Sequence, residues 1–311
     1  MSRHAEGGAA LVVALLVVAL ATLLAYGISE RSSVDLRRNE ALARAAEAQQ
    51  LSLGLEDWAL QQLRRDLIDG DPFDSRLDPW AQPLPPLPVP GGVVIGQLED
   101  LDGRFNLNSL IRPDGQRDGL ALKRLQRLLA VLELSPAIAD AVADWIDVDS
   151  TVSGAGAEDL DYLRANPPYR AANRPMQHLG ELRWVQGVSE EAYKILRPHV
   201  TVLPSGGAIN LNTATIPVWR SLDASISVEL ARRLSSNGRA RYSAIGEIFD
   251  ELQRAGVIVP NHERTGLGVR SRYFLAKAQV KVGNHVETFY SLLQRDLQGG
   301  RVLQRSRGLY D

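Results

Sequence analysis

A chain of 311 residues has room for one large domain or two ordinary ones, and its 35 basic against 37 acidic residues advertise no polyanion partner. The absence of cysteine excludes a disulfide framework, thiolate zinc sites and a cysteine nucleophile. From Gly7 to Ser29 no residue is charged, and Ala9 to Ile28 is almost wholly Ala, Val and Leu. About 20 apolar residues rising ~1.5 Å each cross a hydrocarbon core, so a membrane helix is expected over 9–28. A cleaved secretory signal would carry a shorter apolar core, of about 7–15 residues.

Arg3 and the amino terminus flank one side of this stretch, and Arg31, Arg37, Arg38 and Arg44 flank the other. Charge bias alone would therefore place the body in the cytoplasm. The residues just before the helix point the other way. A short charged leader ending in Gly7-Gly8, followed by Ala9-Ala10-Leu11-Val12-Val13, resembles the processing site of type IV prepilins. That resemblance implies cleavage by a dedicated peptidase on the cytoplasmic side between Gly8 and Ala9, with residues 1–8 as leader. Most such proteins carry Glu at the fifth mature position, where this chain has Val13. A carboxylate inside a bilayer costs about 2.5–3.5 kcal/mol on insertion scales, so it persists where it has a task. In pilins the implied task is pairing with the amino group of the subunit above. A subunit without it suits the top of a filament.

The helix is expected to continue past the membrane, because Leu51, Leu55, Trp58 and Leu63 recur at helical spacing and no Pro appears before Pro72. One helix from about Ala9 to Leu67 would be anchor first and amphipathic stalk second, the stalk occupying 29–69. Residues 70–92, dense in Pro and Gly, read as an extended linker. Val93-Val94-Ile95 and Leu98 to Phe105 predict a strand pair or meander. Helical spacing then rules 106–270, with Leu120–Leu134 stopped by Ser135-Pro136 and a second helix from Pro136 to Ile146. Alternation returns at Tyr273–Val282 and Val286–Leu293, separated by the hairpin signal Gly283-Asn284. The expected fold is α+β: a long N-terminal helix, an antiparallel sheet from 93–105 and 271–311, and an all-helical domain (106–270) inserted in that sheet. Within the insert, Gly103-Arg104-Phe105-Asn106-Leu107-Asn108-Ser109 is echoed by Gly207-Ala208-Ile209-Asn210-Leu211-Asn212-Thr213. The echo predicts two related helical modules, each opened by capping side chains.

The one dense set of ligand-type residues is Asp144-Trp145-Ile146-Asp147-Val148-Asp149-Ser150-Thr151 followed by Glu158-Asp159-Leu160-Asp161. Counting from Asp147, oxygen side chains fall at positions one (Asp147), three (Asp149), five (Thr151), seven (Ser153) and twelve (Glu158), the ligand spacing of a calcium-binding helix–loop. Position six is Val152 in place of Gly, and Gly154 and Gly156 supply the bend slightly later. Close like charges need a counterion, and the flanking Trp145 and Tyr162 imply a packed loop.

Taken together, Gly103–Asn108, Ala143-Asp144-Trp145-Ile146-Asp147, Gly156-Ala157-Glu158-Asp159, Tyr169-Arg170-Ala171-Ala172-Asn173-Arg174 and Asn210-Leu211-Asn212-Thr213-Ala214 resemble the K-type minor pseudopilin of type II secretion systems, and Val13 is itself typical of that family. The resemblance implies a pilin fold with a helical insert and one calcium ion or two. Asp147, Asp149 and Glu158 match the acidic motif best; Thr151 and Asp159 follow as additional ligands, with Asp144 and Asp161 at the margin. It implies a single-pass protein of the inner membrane with its C-terminal body in the periplasm. It also implies processing by the prepilin peptidase and assembly with other minor pseudopilins at a pseudopilus tip, where the subunit aids export of folded proteins across the outer membrane.

A membrane-anchored DNA receptor is the competing class. Ile209-Asn210-Leu211-Asn212-Thr213-Ala214 before a helix, and Leu179-Gly180-Glu181-Leu182 leading into Val185-Gln186-Gly187-Val188, resemble helix-hairpin-helix modules, whose Gly-hydrophobic-Gly turn offers N–H groups to phosphate. Here Ser189 follows Gly187-Val188, and the corresponding place after Asn212 reads Leu222-Asp223-Ala224, so both turns lack the Gly pair. Charge is balanced over 106–270, leaving little drive from counterion release, and no nucleic-acid partner is expected. His4, His178, His199, His262 and His285 are scattered, and no nucleophile elbow or phosphate loop is present, so no catalysis is expected.

Overall fold

The computed structural model describes residues 4–296 and 299–310. A single helix, α1 (His4–Asp69), runs through both the apolar stretch and the stalk. Leu11 to Ile28 lie uncovered by the rest of the chain, and the helix is long and apolar enough to cross a membrane. Val13 is exposed on this half. Gly8 and Ala9 fall in its first turns; the leader's residues 1–3 lie outside the described residues.

The stalk half is helical for a different reason: one face meets a sheet. Five antiparallel strands lie in the order β1 (Leu87–Val89), β2 (Gly92–Asp100), β7 (Tyr273–Val282), β8 (His285–Gln294) and β9 (Arg301–Arg307). Alternation puts Val94 and Leu98 of β2 and Phe274, Ala276, Ala278 and Val280 of β7 on the face that receives Ala48, Leu55, Ala59 and Leu63 of α1. Full burial of a Leu is worth about 1.5–3 kcal/mol, so this seam, more than helix propensity, fixes the stalk. Gly96 lets the helix approach, since a Cβ there would stand 2.2 Å from Leu55 Cδ1. Glu56 is buried on α1 and holds the edge strand: Arg305 donates to both its oxygens at 2.8 Å and Ser291 Oγ donates at 2.6 Å. Burial alone would raise its pKa, and these bonds together leave it lowered.

Two expectations for the segment before the insert are corrected. The stretch expected as an extended linker, 70–92, is packed against the sheet. Trp80, in a short helical turn at Pro79–Ala81, is buried edge-on against Phe274 at 5.0 Å, and β1 is formed from its Leu87-Pro88-Val89. Pro is tolerated there because β1 is an edge strand and loses no ladder bond on its open side. The strand expected to reach Phe105 stops at Asp100, where Asp100 Oδ1 takes the Asp102 N–H at 2.7 Å and turns the chain into the insert.

The chain leaves the sheet after β2 and returns at β7, its neighbour, so the helical domain is inserted between two paired strands. The insert is two modules built on one plan. The first opens with β3 (Phe105–Asn106), runs through α2 (Gly119–Val131), α3 (Ala137–Ile146), α4 (Asp159–Tyr162) and α5 (Glu190–Leu196), and closes with β4 (Val200–Thr201) parallel to β3. The second opens with β5 (Ile209–Asn210), runs through α6 (Ile216–Leu222), α7 (Val228–Leu234) and α8 (Ile245–Arg254), and closes with β6 (Leu267–Gly268) parallel to β5. The echoed asparagines do the same work in both. Asn108 clamps the backbone of Met176, accepting its N–H at 2.8 Å and donating to its carbonyl at 2.9 Å. Asn212 clamps Tyr242 likewise, at 2.9 and 3.0 Å. The two openings touch, for a Cβ on Gly103 would meet Thr213 Oγ1 at 2.6 Å.

Where insert and sheet join, carboxylates are buried. Arg295 bridges Asp66 and Asp74. Asp100 Oδ2 receives Ser271 Oγ at 2.7 Å and the Thr213 hydroxyl, and Asp102 Oδ2 receives the Arg272 and Tyr273 N–H groups.

Candidate metal centre

The first module returns from α3 through a loop, 147–158, between α3 and the single turn α4. This is the helix–loop–helix layout that the one, three and twelve spacing anticipates. Asp147 sits at the carboxyl end of α3 and Glu158 at the start of α4. Gly154 takes a left-handed φ of 60°, which supplies the bend that Val152 does not. Gly156 lies against Asp144, where a Cβ would come 2.0 Å from Oδ2.

The bend brings ligand atoms of Asp147, Asp149 and Glu158 within 4.8 Å of one another. Asp147 and Glu158 are each 3% exposed, while Asp149 faces solvent. Asp147 Oδ1 and both carboxylate oxygens of Glu158 are buried with no hydrogen-bond partner. Burial and the charges of Asp144, Asp147, Asp149 and Asp159 push the Glu158 carboxyl up to about 7. Burial likewise raises Asp144 and Asp147. Arg117, on the turn before α2, is the counter-charge: it pairs with Asp144 and, at 2.7 Å, with Asp147 Oδ2. One guanidinium against these carboxylates leaves an excess of negative charge, and unpaired buried oxygens are costly unless a cation meets them. An all-oxygen donor set of this kind suits a hard cation.

The other expected ligands have contacts of their own, and none of the acidic ones among them joins this group. Thr151 gives its N–H to Asp149 Oδ1 at 2.8 Å, which shapes the loop. Asp159 turns away, accepting from the Ala171 N–H and from Arg170 at 3.0 Å each. Asp161 caps the Glu158 N–H at 3.3 Å and meets Arg164 at 3.4 Å. Asp144, fully buried, is held by Arg117 and by the Ser153 N–H at 3.3 Å. These four support the loop around the three that converge.

Two participants escaped the sequence reading. Arg117 lies far upstream, and no local spacing marks it. Asn173, noted only within a longer motif, gives its N–H to the Trp145 carbonyl at 3.0 Å and its Nδ2 to the Asp149 carbonyl at 3.3 Å, while its Oδ1 is buried without a partner. Trp145, Tyr162, Tyr169 and Trp184 contact one another in sequence with centroids 5.2–5.3 Å apart, edge-on except for the tilted Tyr162–Tyr169 pair.

A family model described as "Type II secretion system (T2SS), protein K" matches residues 103–205, the first module with its loop. The type II secretion system protein K of Pseudomonas aeruginosa is 33% identical, over 98% of this chain and 94% of the relative. That of Pectobacterium carotovorum is also 33% identical, over 99% and 98%. Among solved structures, a chain of the GspK-GspI-GspJ complex from the type 2 secretion system of enterotoxigenic Escherichia coli matches with a TM-score of 0.77. It is 27% identical, covering 88% of this chain and 99% of that one. With a spine helix on an antiparallel sheet, a bipartite helical insert and these near full-length likenesses, the chain belongs to the type II secretion system protein K family.

Proposed function

We propose that this chain is the non-enzymatic minor pseudopilin that caps a type II secretion pseudopilus, in complex with the I and J subunits. The observation that carries the reading is the likeness to a chain of the GspK-GspI-GspJ complex over nearly the whole of that chain. Physical features agree with it. The uncovered apolar half of α1 suits an anchor in the inner membrane, with cleavage between Gly8 and Ala9 by the prepilin peptidase and the body in the periplasm. Val13 offers no carboxylate to a subunit above, so the chain suits the end of the filament. Calcium is the cation we assign to Asp147, Asp149 and Glu158, and it would neutralise carboxylates that Arg117 leaves unmatched.

The DNA-receptor reading is disfavoured by the hairpin between α6 and α7. There Asp223 Oδ1 accepts the Ser225 N–H at 2.9 Å and its hydroxyl at 2.5 Å, so a fixed carboxylate already occupies donors a phosphate would need. The test is co-expression of the full chain with its own system's I and J subunits. A stoichiometric complex that survives size exclusion, together with loss of secretion when the chain is deleted, is the expected result. Salt-sensitive duplex binding without such a complex would overturn it.

A further inference from the structure

The two modules differ most in how the chain returns from the second helix to the asparagine clamp. In the second module α7 comes back to Tyr242 through a tight turn, 235–241. Ser236, Asn237 and Gly238 are left-handed there, and the 235–240 N–H groups bond back to carbonyls no earlier than Ala231. In the first module α3 comes back to Met176 through the far longer 147–175. The clamp, the flanking helices and the closing parallel bridge are common to both, so the long return is an addition to a plan that closes without it.

That addition has little core of its own. Ala157 and Tyr162 are its fully buried apolar members, and its one regular element is the single turn α4. Val148 and Leu160 point outward, 78% and 73% exposed. What it does bury is charge: Asp147 and Glu158, with three oxygens unpartnered. Tyr162 and Tyr169 tie it to Trp145 and Trp184, and Ala171 and Ala172 pack partly buried on the module core. A segment this long with one turn of helix still needs a further drive to order.

We infer that the cation is a local clasp, which orders residues 147–175 and leaves the rest of both modules folded whether or not it is bound. The inference rests on the calcium reading and goes beyond it, because a structural metal commonly governs the folding of its whole domain. Here Trp145 and Asn108, which border the return, stay anchored by the module core and the Met176 clamp. The segment that responds to the ion is therefore bounded at both ends.

The test is hydrogen exchange on the full chain in detergent, with calcium chloride titrated against chelator and calcium uptake measured in parallel. Peptides from 147–175 are expected to gain at least tenfold protection on calcium uptake, while those from α2, α6 and α8 keep theirs. Glu158→Gln is expected to leave α2, α6 and α8 protected but to require at least tenfold more calcium to protect 147–175. Calcium uptake accompanied by changes across all helices, or by none in 147–175, would overturn the clasp while sparing the calcium site. No uptake at millimolar calcium would overturn both.

Discussion

Glu158 concentrates the chemistry of the loop in one side chain: it is buried, opens α4, and has two oxygens facing the Asp147 and Asp149 carboxylates without a donor. Its carboxyl, pushed up to about 7 by burial and neighbouring negative charge, keeps its proton in the folded state at pH values where the unfolded chain has lost it. In chelator, stability is therefore expected to fall as pH rises from about 4.5 to about 7 and then level off; calcium affinity should rise over the same window as the proton leaves. Calorimetric melting of wild-type and Glu158→Gln chains across that range checks both. Asp147→Ala/Asp149→Ala should abolish the upward shift that calcium gives the wild type, read as Tm with and without chelator. The convergence of Asp147, Asp149 and Glu158 was legible because acidic residues spaced along a single loop leave a local pattern. The division among neighbouring carboxylates was not, since Asp159 and Asp161 find their partners in Ala171, Arg170 and Arg164 only after the chain folds.

Each clamp asparagine satisfies a backbone donor and acceptor inside the protein. Asn108→Ala would strand the Met176 N–H and carbonyl, and Asn212→Ala those of Tyr242. An unsatisfied buried group costs about 1–3 kcal/mol, so Asn108→Ala is expected to lose about 2–6 kcal/mol in urea unfolding and Asn212→Ala, whose bonds are only part-buried, less. The double variant should lose nearly the sum, because the clamps share no partner. The echo of these residues announced the duplication, and Gly283-Asn284 announced the β7–β8 hairpin, because turn chemistry is written locally. β1 and the buried Trp80 were hidden: a Pro-rich stretch reads as linker until an edge strand and the Phe274 ring are there to receive it.

Across the molecule, insert and sheet are joined through buried acids. Burial and the Asp74 charge raise Asp66 to about 6, burial raises Asp100 to about 6, and burial with the Asp100 charge raises Asp102 to about 7. Folded pKa values above the unfolded ones mean that the native state holds extra protons between about pH 4 and 7, so stability conferred by this junction declines as pH climbs through that interval. The urea midpoint of the full chain in saturating calcium is expected to be higher at pH 5.5 than at pH 7.5, and Asp102→Asn should flatten the slope. One further consequence follows from the unbroken course of α1. Its 66 residues make a rod on the order of 100 Å, with no proline joint along it. Its far end is pinned to the sheet by Leu55, Leu63 and the Glu56–Arg305 pair. A thrust or a twist delivered to the greasy end thus reaches the globular head with little loss, as along a piston shaft.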